Sequence, residues 1–381
     1  MKSTSRAKPI QRPRSEDRGS FAGPSRFDAG LLVATLALAV IGLATVHSAS
    51  AELATDYLPR QALWVGLGLL LMAVTLALDY HDLVDMSVFF YLAGLALLVI
   101  VLFFGEGPGG TRSWLTLGGF RVGQPAEFAK LTTALFLARF LTSVDEEHLT
   151  LKQIAVAGLI VGAPMALISL QPDLGSAAMF VPLAAGMLLI AGIRLRYLVV
   201  AGLIVLALGT ATWHFSMQDY QRQRVITFLA PQSDPLGAGY QVQQSKIAVG
   251  SGELTGKGYM QGTQSQLRFL PARHTDFVFA VLAEEWGFVG VLVVLGLYLL
   301  YLLSALRVAL RARDRGGILL VVGLVSLSGF HVAYNTAMVV GLLPITGIPL
   351  PFLSYGGSFT LVNFIATGLI LGIDLRRYVN R

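Results

Sequence analysis

Long uninterrupted apolar runs alternate along the chain with short polar connections. Ten such runs occur, at residues 29–46, 61–79, 86–104, 127–143, 154–170, 174–192, 197–216, 277–304, 318–340 and 357–373. Each is close to the ~20 residues a helix needs to cross ~30 Å of hydrocarbon at ~1.5 Å per residue. The runs are continuously apolar rather than alternating, which favours helices over a barrel. The pattern predicts an all-α polytopic membrane protein with about ten transmembrane helices. Residues 28–376 form its membrane domain, and 377–381 a short C-terminus. Residues 1–27 are polar, basic and Pro/Ser/Gly-bearing, and read as a disordered tail. The small residues at 48–51 could mimic a signal-peptidase site, but the run and tail before them are long for a signal peptide.

Two connections break the pattern. Residues 105–126 are Gly-rich. Residues 217–275 put 59 positions between the seventh and eighth runs, where ~2–8 is usual for a helix connection. A long functional extracytoplasmic loop is expected there.

Composition sharpens the class. Hydrophobic residues make up 55% and charged residues 13%, against roughly 25% charged in a soluble domain. A soluble globule, a disordered chain and a coiled coil are excluded. With no cysteine, disulfides, iron–sulfur clusters and thiolate zinc sites are excluded too. The net charge of +6 could suggest nucleic acid. Instead, 18 of the 28 Lys and Arg fall on the side that carries both termini, which marks that side as cytoplasmic. No nucleic-acid partner is expected. Internal repeats of the kind many transporters show are absent.

Candidate chemistry clusters at the outer boundary. Gly105–Gly110 satisfies G-x-G-x-x-G, but it follows an apolar run and contains Pro108, so it is no dinucleotide fingerprint. Glu127 and Lys130 share a helix face, either as a local ion pair or as the lining of a cavity. Asp173 follows Pro172 and is either a helix cap or an outward-facing carboxylate. Arg222, Arg224 and Lys246 suit a pyrophosphate, or anchor at headgroups. Asp276, where the long loop meets the eighth run, is either an N-cap or a general base facing an outer cavity. Glu284 and Glu285 lie deeper on the same run and cannot both share its face, so at least one should be packed, protonated or paired. The uncharged stretch with Asn335, Pro344, Gly347, Pro349, Ser354 and Ser358 must line protein or water.

Four of these stretches together resemble the SEDS family (shape, elongation, division and sporulation). They are Gln124-Pro-Ala-Glu127-x-x-Lys130, Gln171-Pro-Asp-Leu-Gly-Ser, His274-Thr-Asp-Phe-Val-Phe-Ala and the run from Gly341 to Ser358. Asp219-Tyr-Gln-Arg-Gln-Arg and Gly262-Thr-Gln-Ser-Gln-Leu look more like the elongation-type, rod-shape-determining members than the division-type ones. The resemblance implies a peptidoglycan glycosyltransferase of the bacterial cytoplasmic membrane. It would polymerise lipid II onto undecaprenyl-pyrophosphate-linked glycan at the outer face. A class B penicillin-binding protein (a transpeptidase) and the elongation machinery are the implied partners. Asp276 matches the family's essential aspartate, with Glu127, Lys130 and Asp173 at other sensitive positions. Ala126, Ala272 and the spacing of Arg112 to Trp114 depart from the family pattern.

The expected catalytic residue is therefore Asp276. The expected substrate-binding residues are Glu127, Lys130, Asp173, Arg112, Arg222, Arg224, Lys246 and Ser354. No cofactor is required by the motifs, while Mg²⁺ near Asp276 would suit carboxylate and pyrophosphate oxygens. Gly287 and Gly290 could let the partner's single helix approach closely. The rival reading is a lipid II flippase, whose path would run between Glu127, Lys130, Glu284 and Glu285.

Overall fold

The computed structural model describes residues 28–377 except 52, 54–55, 108–110, 118–119, 145, 147, 216, 218, 231–233 and 235–236. The tail expected at 1–27 and residues 378–381 lie outside the described residues. Every apolar run is helical: α1 (Ala29–Ser50), α2 (Leu58–Ala77), α4 (Ser87–Phe104) after the short α3 (Tyr80–Asp85), α5 (Pro125–Thr142) and α6 (Leu151–Leu170). Then come α7 (Leu174–Ala178), α8 (Phe180–Ile190) and α9 (Leu195–Phe215). The last three long helices are α13 (Val278–Arg311), α14 (Arg315–Val339) and α15 (Gly357–Arg376). Seven of these are long and apolar enough to cross a membrane. The sixth apolar run is two segments, α7 and α8, meeting at Met179.

Local chemistry sets the helix ends. Asp28 caps α1 through the Leu31 amide, and Asp314 caps α14 through Gly317. Thr150 and Gln153 form a capping box on α6. The Gly-rich stretch makes the one strand pair among the described residues, β1 (Leu115–Leu117) antiparallel to β2 (Phe120–Gly123).

The bundle packs α15 on α2, α1 on α13, α13 on α14, and α14 on α5 and α8. Outward, α13 presents Leu292, Leu299, Leu303 and Leu310, each at least half exposed. So continuous an apolar face belongs in lipid or against a partner.

The long connection expected at 217–275 lies between α9 and α13 and carries secondary structure of its own. It folds into α10 (Asp219–Leu229), α11 (Ala238–Ser251) and the single turn α12 (Thr263–Gln266). α11 lies on α13, and Ser245 on it donates to the Val339 carbonyl of α14 at 2.7 Å. The turn after α11 then enters a break in α13.

That break is at Gly287, with φ 65° and ψ −166°. Four peptide groups freed there are taken up by the turn. The Lys257 and Gly258 amides bond the Glu284 and Glu285 carbonyls, each at 3.0 Å. The Phe288 and Val289 amides bond the Glu253 and Leu254 carbonyls at 2.8 and 3.0 Å. At membrane depth each of these groups would otherwise cost several kcal/mol. Glu284 is paired with Lys257 at 2.6 Å, and Glu285 accepts from Ser48. Both carboxylates are thus structural partners of the break. Gly287 is not available to a partner helix: a side chain there would fall 2.3 Å from the Gly256 nitrogen. Gly290 is likewise covered, by Trp286.

Gly287→Ala is expected to lower the melting temperature of the purified protein strongly. The positive φ alone costs on the order of 1–3 kcal/mol, and the clash adds to it. An unchanged melting curve would show that the break is not rigidly held.

Candidate functional site

Asp276 sits in a tight turn that ends the 217–275 segment. The amides of Thr275, Asp276 and Phe277 converge on the Ala272 carbonyl at 3.1, 3.1 and 3.3 Å. α13 starts only at Val278, its N-cap is Phe277, and no side chain caps it. The N-cap reading of Asp276 is therefore set aside: its carboxylate is not spent on helix amides. Three groups pin the turn from outside it. Asn335 Nδ2 donates to the Asp276 carbonyl at 2.9 Å, Ser354 Oγ donates to the Thr275 carbonyl at 2.7 Å, and the Tyr355 amide donates to the His274 carbonyl at 2.9 Å.

The carboxylate faces the irregular stretch before α15. A Cβ placed on Gly347 would lie 3.7 Å from Asp276 Oδ2. Aromatic rings stand beside the turn: Tyr57 stacks on His274 with centroids 4.5 Å apart, and Tyr355 meets Tyr57 edge-on at 4.8 Å. Burial and the charge of Arg273 hold His274 below its usual pKa, so this ring is neutral near pH 7.

Asp276 is half-buried, enclosed by protein yet open to solvent. Burial pushes its pKa up to about 6, against the lowering effects of the Arg224 charge and a hydrogen bond from Thr275. A carboxylate with that value is a better base than an exposed one and remains ionised near neutral pH. This combination of enclosure, access and raised basicity is what a proton acceptor needs.

The other expected residues separate into groups. Glu127 and Lys130 form a 2.8 Å ion pair on the first two turns of α5, at 3% and 1% exposure. They line a cavity of about 20 Å³, room for one water, so ion pair and cavity lining both hold. Asp173 is a cap: it accepts from the Ser176 amide at 3.1 Å and from the Gln124 amide group at 3.1 Å. It thereby ties α7 to the start of α5. Ser354 is 1% exposed and bridges the Leu350 amide and Thr275 carbonyl, so it props the Asp276 turn from behind rather than offering a hydroxyl to substrate.

The cations also divide. Arg222 donates to the Trp213 and His214 carbonyls at 3.1 and 3.3 Å, closing the C-terminal turn of α9. Arg112 donates to the Leu102 carbonyl at 3.2 Å in the last turn of α4. These guanidiniums serve helix C-termini, where carbonyls lack partners and the dipole favours positive charge. Arg224, two residues on, contacts the Ile345 carbonyl at 3.4 Å and acts electrostatically on Asp276. Lys246 is exposed on α11, with its ammonium against Gly341 at the end of α14.

Sequence reasoning did not single out Gln61. It is 1% exposed on α2, accepts from the Gly356 amide at 3.2 Å and donates to Thr360 at 3.1 Å. A polar residue inside an apolar run was the available signal.

The raised pKa has a stability consequence. Below pH ~4 both folded and unfolded states keep the Asp276 proton. As pH rises toward 6 only the folded state keeps it, so folding is progressively penalised, and the penalty stays constant above that. Asp276→Asn is therefore expected to melt higher than wild type at pH 7 and to lose that advantage at pH 4. A variant less stable at pH 7 would overturn the assignment of burial as the cause.

The chain is matched over residues 29–379 by the FtsW, RodA and SpoVE family of cell cycle proteins. It is 40% identical to the peptidoglycan glycosyltransferase MrdB of Escherichia coli K12, over 95% of this chain and 97% of that one. Against the peptidoglycan glycosyltransferase RodA of Treponema pallidum identity is 35%, over 93% and 99%. Among solved structures, one from a peptidoglycan synthase complex that coordinates polymerization and crosslinking superposes with TM-score 0.78 at 34% identity, covering 92% of this chain and 98% of that one. The rod shape determining protein RodA of Thermus thermophilus superposes with TM-score 0.69 at 32% identity and the same coverage. Fold, motifs and relatives agree: the chain belongs to the SEDS family of FtsW, RodA and SpoVE proteins.

Proposed function

We propose that this chain is a peptidoglycan glycosyltransferase that polymerises lipid II into glycan strands at the outer face of the bacterial cytoplasmic membrane during cell elongation. The relatives' activity supports it. The single structural observation that carries it is Asp276, a half-buried carboxylate with raised basicity, held by its backbone and left free by the helix it precedes. The distribution of Lys and Arg supports placing both termini in the cytoplasm.

The chemistry is an inverting sugar transfer. A hydroxyl of one lipid-linked disaccharide attacks the anomeric carbon of the growing glycan, and its proton passes to the Asp276 carboxylate. A new carbon–oxygen bond forms as the bond to pyrophosphate breaks, and undecaprenyl pyrophosphate leaves with the electron pair. Arg224 and the exposed Lys246 are the cations suited to the leaving group, whereas Lys130 is enclosed in its ion pair.

Among the described residues no three His, Asp or Glu side chains gather as a metal cage. Asp276 is the residue that would hold Mg²⁺ here, whose preference for oxygen suits carboxylate and pyrophosphate. The ion would add positive charge to the leaving group.

A class B penicillin-binding protein is the proposed crosslinking partner, its membrane helix lying along the exposed leucine stripe of α13. The synthase complex containing a structural neighbour supports such an assembly. Leu299→Lys should then reduce co-purification of the transpeptidase without changing the melting temperature; undiminished recovery would rule out this stripe.

Lipid II polymerisation by protein purified in detergent tests the activity, because flipping needs a sealed membrane and polymer synthesis does not. Asp276→Asn should lower the rate by about 10²–10⁴, the usual contribution of a general base. Polymerisation at the wild-type rate would remove Asp276 from the chemistry. The base must be ionised, so the rate should fall as pH drops through about 6. Arg224→Gln removes a lowering influence and should move that acid limb to higher pH; a limb that stays or moves down contradicts the electrostatic assignment.

A further inference from the structure

One buried polar side chain links the ion pair on α5 to the turn that carries Asp276. His331 lies on α14, 2% exposed, with its ring 5.0 Å from that of Phe359. Its Nδ1 is 3.0 Å from the Pro349 carbonyl, and its Nε2 is 3.5 Å from Lys130 Nζ. A carbonyl only accepts and an ammonium only donates, so Nδ1 carries the proton and Nε2 presents its lone pair. Lys130 in turn donates to Glu127 at 2.8 Å.

Asn335 is four residues further along α14 and therefore on the same face. Its amide nitrogen donates to the Ile348 carbonyl at 2.8 Å and to the Asp276 carbonyl at 2.9 Å. His331 and Asn335 thus hold the adjacent carbonyls of Pro349 and Ile348. That short stretch follows Gly347, the residue facing the Asp276 carboxylate. The chain of contacts runs from Glu127 through Lys130 and His331 to Pro349, and from Ile348 through Asn335 to Asp276.

The geometry points to His331 as a positioning residue that sets where the 347–349 backbone stands against Asp276 and couples it to the Glu127–Lys130 pair. It touches no reacting atom. Its work is to supply one N–H to a backbone carbonyl and one lone pair to an ammonium, which no apolar side chain can do. Losing the N–H would leave the Pro349 carbonyl without this partner and let the stretch drift. An error of about 1 Å in such a support can cost as much as 10²-fold in rate.

This inference rests on the polymerase reading above, and the experiment separates the two. Initial rates of lipid II polymerisation are measured in detergent over a range of lipid II concentrations for wild type, D276N, H331F and H331N, with melting curves for each. H331F keeps a ring against Phe359 but has no hydrogen bonds. H331N places an amide N–H close to the position of Nδ1. The expected result is a kcat lower by about 10- to 100-fold in H331F with KM unchanged, and kcat restored to within ~3-fold of wild type in H331N.

Wild-type kcat in H331F overturns the inference. So does a loss in H331F that H331N fails to recover, or a KM that rises in step with the loss, since those mark general packing or substrate binding. Should H331F not fold, H331Q replaces it. Its longer amide reaches toward Lys130 and leaves Pro349 without the donor, so a reduced kcat at constant KM supports the inference and an unchanged kcat overturns it. Wild-type activity together with an inactive D276N sustains the polymerase reading whatever the His331 variants do. An inactive wild type, or an active D276N, defeats that reading first.

Discussion

Asn335 places one amide nitrogen between two backbone carbonyls, those of Asp276 and Ile348, at 2.9 and 2.8 Å. Much of the site depends on that contact. The stretch between α14 and α15 has no regular secondary structure over residues 344–350, so its peptide groups cannot satisfy one another as a helix does. They are satisfied by side chains from the bundle: Asn335, His331, Tyr334 and Ser354 each bond a backbone group of the stretch. Two of these side chains, Asn335 and Ser354, also bond the turn of Asp276 and hold the stretch against it. Satisfying the backbone and positioning the carboxylate are one set of interactions, which is how an irregular segment can be rigid enough to face chemistry.

The break at Gly287 repeats this arrangement with backbone groups in place of side chains. A turn from the 217–275 segment supplies two amides to one half of α13 and two carbonyls to the other. Both halves of α13 are thus fastened to the 217–275 segment, the half that follows Asp276 through two of these bonds. Glu284 and Lys257 close the joint with a buried ion pair, and Glu285 with Ser48. Acidic residues at this depth invite a transport reading, but here each carboxylate is engaged by the turn that fills the break. The pair on α5 is likewise enclosed, so no continuous row of free carboxylates runs through the described bundle.

Arginine is used economically. Arg112 and Arg222 end helices α4 and α9, and Arg376 does the same for α2 by reaching the Leu76 and Ala77 carbonyls. A guanidinium near a helix C-terminus satisfies carbonyls and meets the negative end of the dipole at once. In a sequence, such an arginine looks the same as one waiting for a phosphate. Arg224, two residues beyond Arg222 on α10, differs in that its charge lowers the pKa of Asp276.

Helices, their order and the family motifs were all legible in the sequence, because apolar runs of membrane length and contiguous motifs are local properties. Asp276 was legible through the motif, but its freedom from the N-cap was not: that depends on where α13 starts, which the turn around Ala272 decides. The helices within 217–275, the break at Gly287 and the meeting of His331 with Lys130 across 201 positions were not legible. Each requires a partner distant in sequence, and a single chain carries no record of which distant groups will satisfy one another. Apolar runs and contiguous motifs were enough to specify a helical membrane protein with an aspartate just before its eighth apolar run. The tertiary structure alone decided which polar groups are free for chemistry, because burial and hydrogen-bond partners are properties of the packed bundle.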